Sequence, residues 1–184
     1  MMLNIKMIEN LTKALKKIDV GQVIYFSSDA VYSFENTLIT ENIATEITDY
    51  YSAMHVVRET IIKTELNSPT LFVRPTLVYG IGDTHNSYGP NRFIKNSIKE
   101  KKITLGGNGE ETRDHIFIND LVKMVKLFIS YKTVGTANLA TGNSYSFMEI
   151  ANMINNELNN KVKIITTERN NEITYRKFDI SNFT

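Results

Sequence analysis

Residues Val23–Tyr32 read VIYFSSDAVY. Four apolar residues, Val23 to Phe26, run directly into two hydroxyls, Ser27 and Ser28, and an acid, Asp29. An unbroken apolar run of this length is the pattern of a strand buried on both faces, as in a parallel sheet covered by helices. In such sheets ligands bind just beyond the carboxyl ends of the strands, which is where Ser27 and Ser28 would fall. The flanks agree with this reading. Upstream, Ile8, Leu11, Leu15 and Ile18 recur at helical spacing and predict an amphipathic helix over residues 3–18, ended near Gly21. Downstream, Thr70–Arg74 predicts a second strand, followed by Pro75. Strand, helix and strand in this order argue for an α/β fold with a parallel sheet.

The helix between those strands starts near Asp49 with DYYSAMHVVRE and continues through Ile62 toward Leu66, before Ser68 and Pro69 break it. Tyr51 and His55, four residues apart, lie one above the other on a single face. A donor or cation at His55 can therefore act on the Tyr51 hydroxyl; Tyr50 lacks that spacing. A tyrosine used as acid and base near neutrality must come down from a pKa of about 10 by roughly 3 units, or about 4 kcal/mol. A histidine with a pKa near 6.5 is only roughly a quarter protonated at pH 7, so it supplies less charge than a lysine would. The bland readings are a half-exposed helix histidine and two serines that cap a strand end. Ser28, Tyr51 and His55 form the candidate catalytic set.

Residues 33–48 read as a polar loop and Gly80–Gly89 as another. Pro90 suits the first turn of a helix that carries Phe93, Ile94 and Ile98 inward. Ile103–Leu105 predicts a short strand running into the Gly106–Gly109 turn. Asn119 or Asp120 is expected to cap a helix with Leu121, Val122, Val125 and Ile129 on one face. Ser146 and Glu149 form a capping box ahead of Ile150, Ile154 and Leu158, and Lys161–Thr166 predicts a last strand. The chain thus divides into a sheet-bearing part, residues 1–80, and a smaller α+β lobe, residues 81–184.

At 184 residues and 42% hydrophobic content the chain can bury one real core. A formal charge of +1 leaves no electrostatic footprint for nucleic acid or an anionic membrane. No apolar run approaches the roughly 20 residues of a membrane span. The absence of cysteine removes disulfides and thiolate metal sites and fits a cytoplasmic protein. His55, His85 and His115 stand 30 residues apart with no carboxylate pattern, so no metal site is expected.

Four stretches occur in register across nearly the whole chain: FSSDAVY, Tyr51 with a basic residue four on and Glu59, FVRPTLVYG, and GGNGEETRDHIFINDL. Together they resemble the extended short-chain dehydrogenase/reductase superfamily, the nucleotide-sugar epimerases, dehydratases and reductases. The resemblance implies a partial Rossmann-type sheet, NAD or NADP as cofactor, and a nucleotide-sugar substrate. It implies that Tyr51 exchanges a proton with a sugar hydroxyl, that Ser28 hydrogen-bonds the substrate oxygen, and that His55 stands where the family carries a lysine. Pro75 matches the turn against the nicotinamide, with a strand-ending proline as its equal alternative. Arg113 matches the arginine that grips the diphosphate, and Asn91 and Arg92 match substrate-loop contacts. Asp29 also falls at the substrate, but Ala30 stands where the 4,6-dehydratases carry a second carboxylate, which weighs against dehydration.

The family's cofactor-binding start is not recognisable. Gly80-Ile81-Gly82 has His85, and Gly107-Asn108-Gly109 has Thr112, where a dinucleotide fingerprint needs its third glycine. The resemblance therefore begins just before the strand that carries Ser28, and FDIS near Asp179 looks like a segment that continues in the family. A split gene, a truncated reading frame or a partial product would each give such a chain. The expected function is that of an NAD(P)-dependent epimerase-like protein, inactive as an isolated chain. A 4-keto-sugar reductase or dehydratase is the alternative within the class, and a non-catalytic nucleotide-sugar binder, or a module completed by an N-terminal partner chain or a homodimer, is the alternative outside it.

Overall fold

A computed structural model describes residues 2–83, 89–169 and 172–183. In chain order its elements are α1 (Met2–Leu15), β1 (Val23–Phe26), β2 (Leu38–Ile39), α2 (Tyr50–Glu65), β3 (Thr70–Pro75) and β4 (Leu77–Tyr79). There follow α3 (Gly89–Glu100), β5 (Lys102–Gly106), β6 (Thr112–Phe117), α4 (Ile118–Ser130) and β7 (Gly135–Leu139). The last are β8 (Ser144–Ser146), α5 (Phe147–Glu157), β9 (Lys163–Thr167) and β10 (Lys177–Phe178).

The central sheet is parallel, in the order β1-β3-β7. Side-chain alternation along its strands splits the core in two. On one face Phe72 meets Ile8 of α1, Ile62 of α2 and Leu66 just past its end, with Tyr25 alongside. On the other, Leu71, Val73, Ala137 and Leu139 pack on Leu121 and Phe128 of α4, with Ile24 alongside. Helices on both faces of a parallel sheet make this an α/β fold. A second three-stranded sheet, β4-β6-β8, carries the chain into a smaller lobe, where the parallel pair β5 and β9 packs with α3 and α5 around Phe93, Ile103, Leu105 and Ile150.

Several sequence expectations are corrected here. β1 is parallel, but it is an edge strand among the described residues and Phe26 is 47% exposed, so it is not buried on both faces. The stretch read as loop over residues 33–48 contains β2, which pairs with β10 and fully buries Ile39. In α1 only Ile8 of the predicted stripe is buried; Leu11 and Ile18 stay exposed. In α3, Phe93 and Ser97 share the inward face, which turns Ile94 and Ile98 about 100° outward. α4 starts at Ile118 directly from β6, with Phe117 at the cap position and no side-chain capping bond, so neither Asn119 nor Asp120 caps it. Its inward face is Leu121, Met124, Val125 and Phe128, while Val122 and Ile129 are exposed. His85, with the rest of Thr84–Tyr88, lies outside the described residues.

Candidate active site

β1 delivers Ser27 and Ser28 at its carboxyl end. Ser27 is buried, whereas Ser28 is partly exposed and caps a single 3-10 turn, Asp29–Val31, its hydroxyl accepting from the Ala30 amide at 3.2 Å. That turn packs against α2. α2 opens with a full capping box: Asp49 accepts from the Ser52 amide at 2.7 Å and the Ser52 hydroxyl accepts from the Asp49 amide at 2.9 Å. This fixes the register of the first turns, where Tyr51 sits half exposed and Tyr50 points to solvent at 87% exposure. The rings of Tyr51 and His55 meet edge to face with centroids 4.7 Å apart.

His55 itself is buried, and its Nδ1 has no hydrogen-bond partner. Burial first, and then the neighbouring Arg58 charge, push its pKa below the usual histidine value; Glu59 opposes this more weakly. In this chain the residue one turn after Tyr51 is therefore a neutral imidazole near pH 7.

Below the pair, α2 is locked to β3. Arg74 donates from Nε and Nη2 to the two carboxylate oxygens of Glu59 at 2.9 and 2.6 Å, and from Nη1 to the Tyr32 hydroxyl at 2.8 Å. Tyr32 in turn donates to Asn138 Oδ1 at 2.8 Å. All four residues are essentially inaccessible to solvent. Burial works to raise the Glu59 pKa, but the hydrogen bonds and charge of Arg74 outweigh it and hold the carboxyl below its usual range. This network joins α2, β3, β7 and the turn after Ser28.

The remaining candidates divide. Asp29 is paired with Arg176 at 3.1 Å, and Arg176 also donates to the Tyr32 and Ser33 carbonyls. Burial raises the Asp29 pKa against the pull of Arg176. Arg113 on β6 donates to the Thr174 carbonyl at 3.0 Å and its hydroxyl at 2.6 Å, and its guanidinium and that of Arg176 both lie over the Phe34 ring, at 5.4 and 4.3 Å from its centroid. Burial and the nearby Arg176 charge lower the Arg113 pKa. The charges of Asp29 and Glu111 oppose this and offset the Arg113 guanidinium only in part. Asn91 is turned onto the preceding loop, donating to the Gly80 carbonyl at 3.1 Å and Asp83 at 2.8 Å. Arg92 is exposed over Phe93. Pro75 ends β3 beside Leu139.

Tyr51 and His55 thus share the first turns of α2, against which the turn capped by Ser28 packs, and Asp29, Arg113 and Arg176 lie around Phe34. Arg176 was not foreseen from the sequence, since its partner Asp29 lies 147 residues away. The Glu59–Arg74 pair carried one signal, an arginine inside the apolar strand LFVRP. Among the described residues no group of three or more metal-ligating side chains comes together.

Comparison with known proteins adds the following. Residues 1–140 match the family model described as the NAD dependent epimerase/dehydratase family. A dTDP-4-dehydro-6-deoxy-D-allose reductase from Streptomyces sp is 27% identical over 82% of this chain and 50% of its own length. An uncharacterised UDP-glucose epimerase, YtcB, from Bacillus subtilis is 22% identical over 82% of this chain and 49% of its own. The UDP-glucuronic acid 4-epimerase of Bacillus cereus, solved with UDP-glucuronic acid and NAD, superposes with a TM-score of 0.86 at 22% identity, over 97% of this chain and 59% of that one. The chain spans about half the length of the curated relatives it matches.

Proposed function

The chain belongs to the NAD-dependent epimerase/dehydratase family, and from that premise we propose that it is the acid/base and nucleotide-sugar-binding part of an NAD(P)-dependent nucleotide-sugar epimerase. The observation that carries the reading is the Tyr51–His55 contact on the helix packed against the turn that Ser28 caps.

In this reading residues 1–80 hold the acid/base machinery and residues 81–184 hold the sugar nucleotide. Tyr51 moves a proton to and from a sugar hydroxyl, and Ser28 hydrogen-bonds the same oxygen. His55, with its buried and unpartnered Nδ1, and the half-exposed Tyr51 suit the ribose end of a nicotinamide nucleotide, with Pro75 at the strand end beside it. A nicotinamide held beside these residues would supply a reversible acceptor for the hydride of the sugar carbon. The sequence contains no G-x-G-x-x-G turn, so these residues account for one end of the dinucleotide and the isolated chain is inactive.

Arg113 is the diphosphate ligand: a desolvated guanidinium whose charge Asp29 and Glu111 offset only in part suits phosphate oxygens. Asn91, which donates to Gly80 and Asp83, and Arg92 beside it are the further contacts to the substrate. Asp29 is held in its ion pair with Arg176, and Ala30 offers no second carboxylate, so elimination of water lacks its acid and base. The second reading, a 4-keto-sugar reductase, is favoured by the 27% identity to the Streptomyces reductase. It differs in releasing oxidised cofactor with the product.

The test is Tyr51→Phe in the protein completed by its cofactor-binding part. Turnover is expected to fall by at least about 100-fold, the scale of lost acid/base catalysis, with nucleotide-sugar affinity unchanged. Retained turnover would remove the reading.

A further inference from the structure

The turn that Ser28 caps is held by a residue far along the chain. Arg176 is buried, and both terminal nitrogens of its guanidinium are directed onto that turn. Nη1 donates to the Asp29 carbonyl and to the Asp29 carboxylate, each at 3.1 Å, and Nη2 donates to the Tyr32 and Ser33 carbonyls at 2.8 and 3.2 Å. One planar fork thus meets four acceptors, which the point charge of a lysine could not reproduce. The Ser28 hydroxyl is a further donor that favours the charged form of Asp29.

The main chain around Arg176 is fastened to the strands beside Arg113. Thr112 and Tyr175 form a β-bridge, the Arg176 amide donates to the Thr112 hydroxyl at 3.3 Å, and the Ser144 hydroxyl donates to the Arg176 carbonyl at 2.6 Å. Thr174, two residues earlier, accepts from Arg113 at both its carbonyl and its hydroxyl. Arg113 and Arg176 share the Phe34 ring, and both charges act on Asp29, that of Arg176 more strongly. Each guanidinium disfavours the other, so an anion seated on Arg113 relieves the repulsion and leaves Asp29 to Arg176.

We propose that Arg176 is a positioning residue for Ser28: it ties the turn over residues 29–33 to the segment that holds Arg113, so that a diphosphate bound at Arg113 steadies the turn from which Ser28 reaches the sugar. The inference rests on the roles proposed above for Arg113 and Ser28 and adds a coupling between them. The physical connection is contiguous, from Arg113 to Thr174, along the chain to Arg176, and across to Asp29 and the carbonyls of the turn. Buried hydrogen bonds and ion pairs of this kind carry coupling between sites, and the coupling free energy is the same read from either end. Arg176 touches the turn and not the sugar, so its effect on the substrate passes through Ser28.

The probe is UDP, which carries the diphosphate but no sugar and so cannot steady Ser28 through a sugar oxygen. Amide exchange is measured on the whole chain with and without saturating UDP. Binding is expected to slow the Ala30 and Tyr32 amides, which donate to the Ser28 hydroxyl and the Asp29 carbonyl, by at least about 5-fold, the lower end of ordinary coupling. The Ile8 amide in α1 is expected to stay unchanged. In Arg176→Lys, which keeps the charge and loses the fork, UDP still binds and the slowing disappears; by reciprocity its affinity falls by no more than the factor the coupling supplied. Unchanged Ala30 and Tyr32 exchange in the wild-type chain with UDP bound overturns this inference alone, whether or not the variant folds. Undiminished slowing in a folded Arg176→Lys overturns it as well, by assigning the effect to another route. Failure to bind UDP, or binding indifferent to Arg113→Met, removes the reading of Arg113 as diphosphate ligand and the coupling with it.

Discussion

Position 59 shows how much of the site depends on residues that touch no substrate. Glu59 lies two turns after Tyr51, and its carboxylate is wholly enclosed by Arg74 and, at the surface, Lys63. Removing one partner of a buried pair leaves an uncompensated charge, a loss on the order of 3–5 kcal/mol. Glu59→Ala is therefore expected to shift urea unfolding by that amount; a loss below about 1 kcal/mol would show that the pair is not what fastens α2 to β3. The sequence offered Glu59 as part of a motif and Tyr51 and His55 by their spacing. It could not reveal that His55 is buried and kept neutral, because burial depends on packing between elements distant in the chain.

Among the elements, the most legible were those whose signal is local. The Ser146–Glu149 capping box is formed on both sides, with the Glu149 amide donating to the Ser146 hydroxyl at 3.1 Å and the Ser146 amide to the Glu149 carboxylate at 2.7 Å. Ser146→Ala is expected to cost about 1 kcal/mol, a lowering of Tm by a few degrees in a calorimetric scan. No change would mean that α5 is held by its packing alone. β6 was not legible as a strand, because Arg113, Asp114 and His115 interrupt its apolar pattern. Asp114 is nonetheless buried, its oxygens accepting from the Thr141 amide at 3.0 and 3.1 Å and from the Thr141 hydroxyl at 3.0 Å. β2 and β10, each of two residues, exist only through their long-range pairing. The cap expected at Asn119 or Asp120 failed because β6 feeds α4 without the loop that a capping residue occupies.

Across the whole molecule, two histidines with buried ring nitrogens contribute to the response to acid. Burial pushes His115 down to about 4 from the ordinary value of 6.5, and burial with Arg58 lowers His55. Both folded-state values lie below the unfolded ones, so the unfolded chain binds more protons in the interval between them. Stability is thus complete above about pH 6.5 and declines as pH falls toward 4, by at most about 3 kcal/mol for His115 at about 1.4 kcal/mol per pH unit. His115→Phe is expected to flatten Tm against pH over that interval. An unaltered slope would assign the acid sensitivity to other groups.

The architecture was legible at this scale from one strand, one helix and four motifs in register. In the proposed function this chain holds a nucleotide sugar through Arg113 and acts on it through Tyr51. Calorimetric titration of the isolated chain with UDP-glucuronic acid and with dTDP-glucose tests it most directly. Saturable binding of at least one of them is expected, kept in Tyr51→Phe and weakened at least about 10-fold in a folded Arg113→Met, the scale of a lost charged hydrogen bond. Binding of neither, or binding indifferent to Arg113, would contradict it.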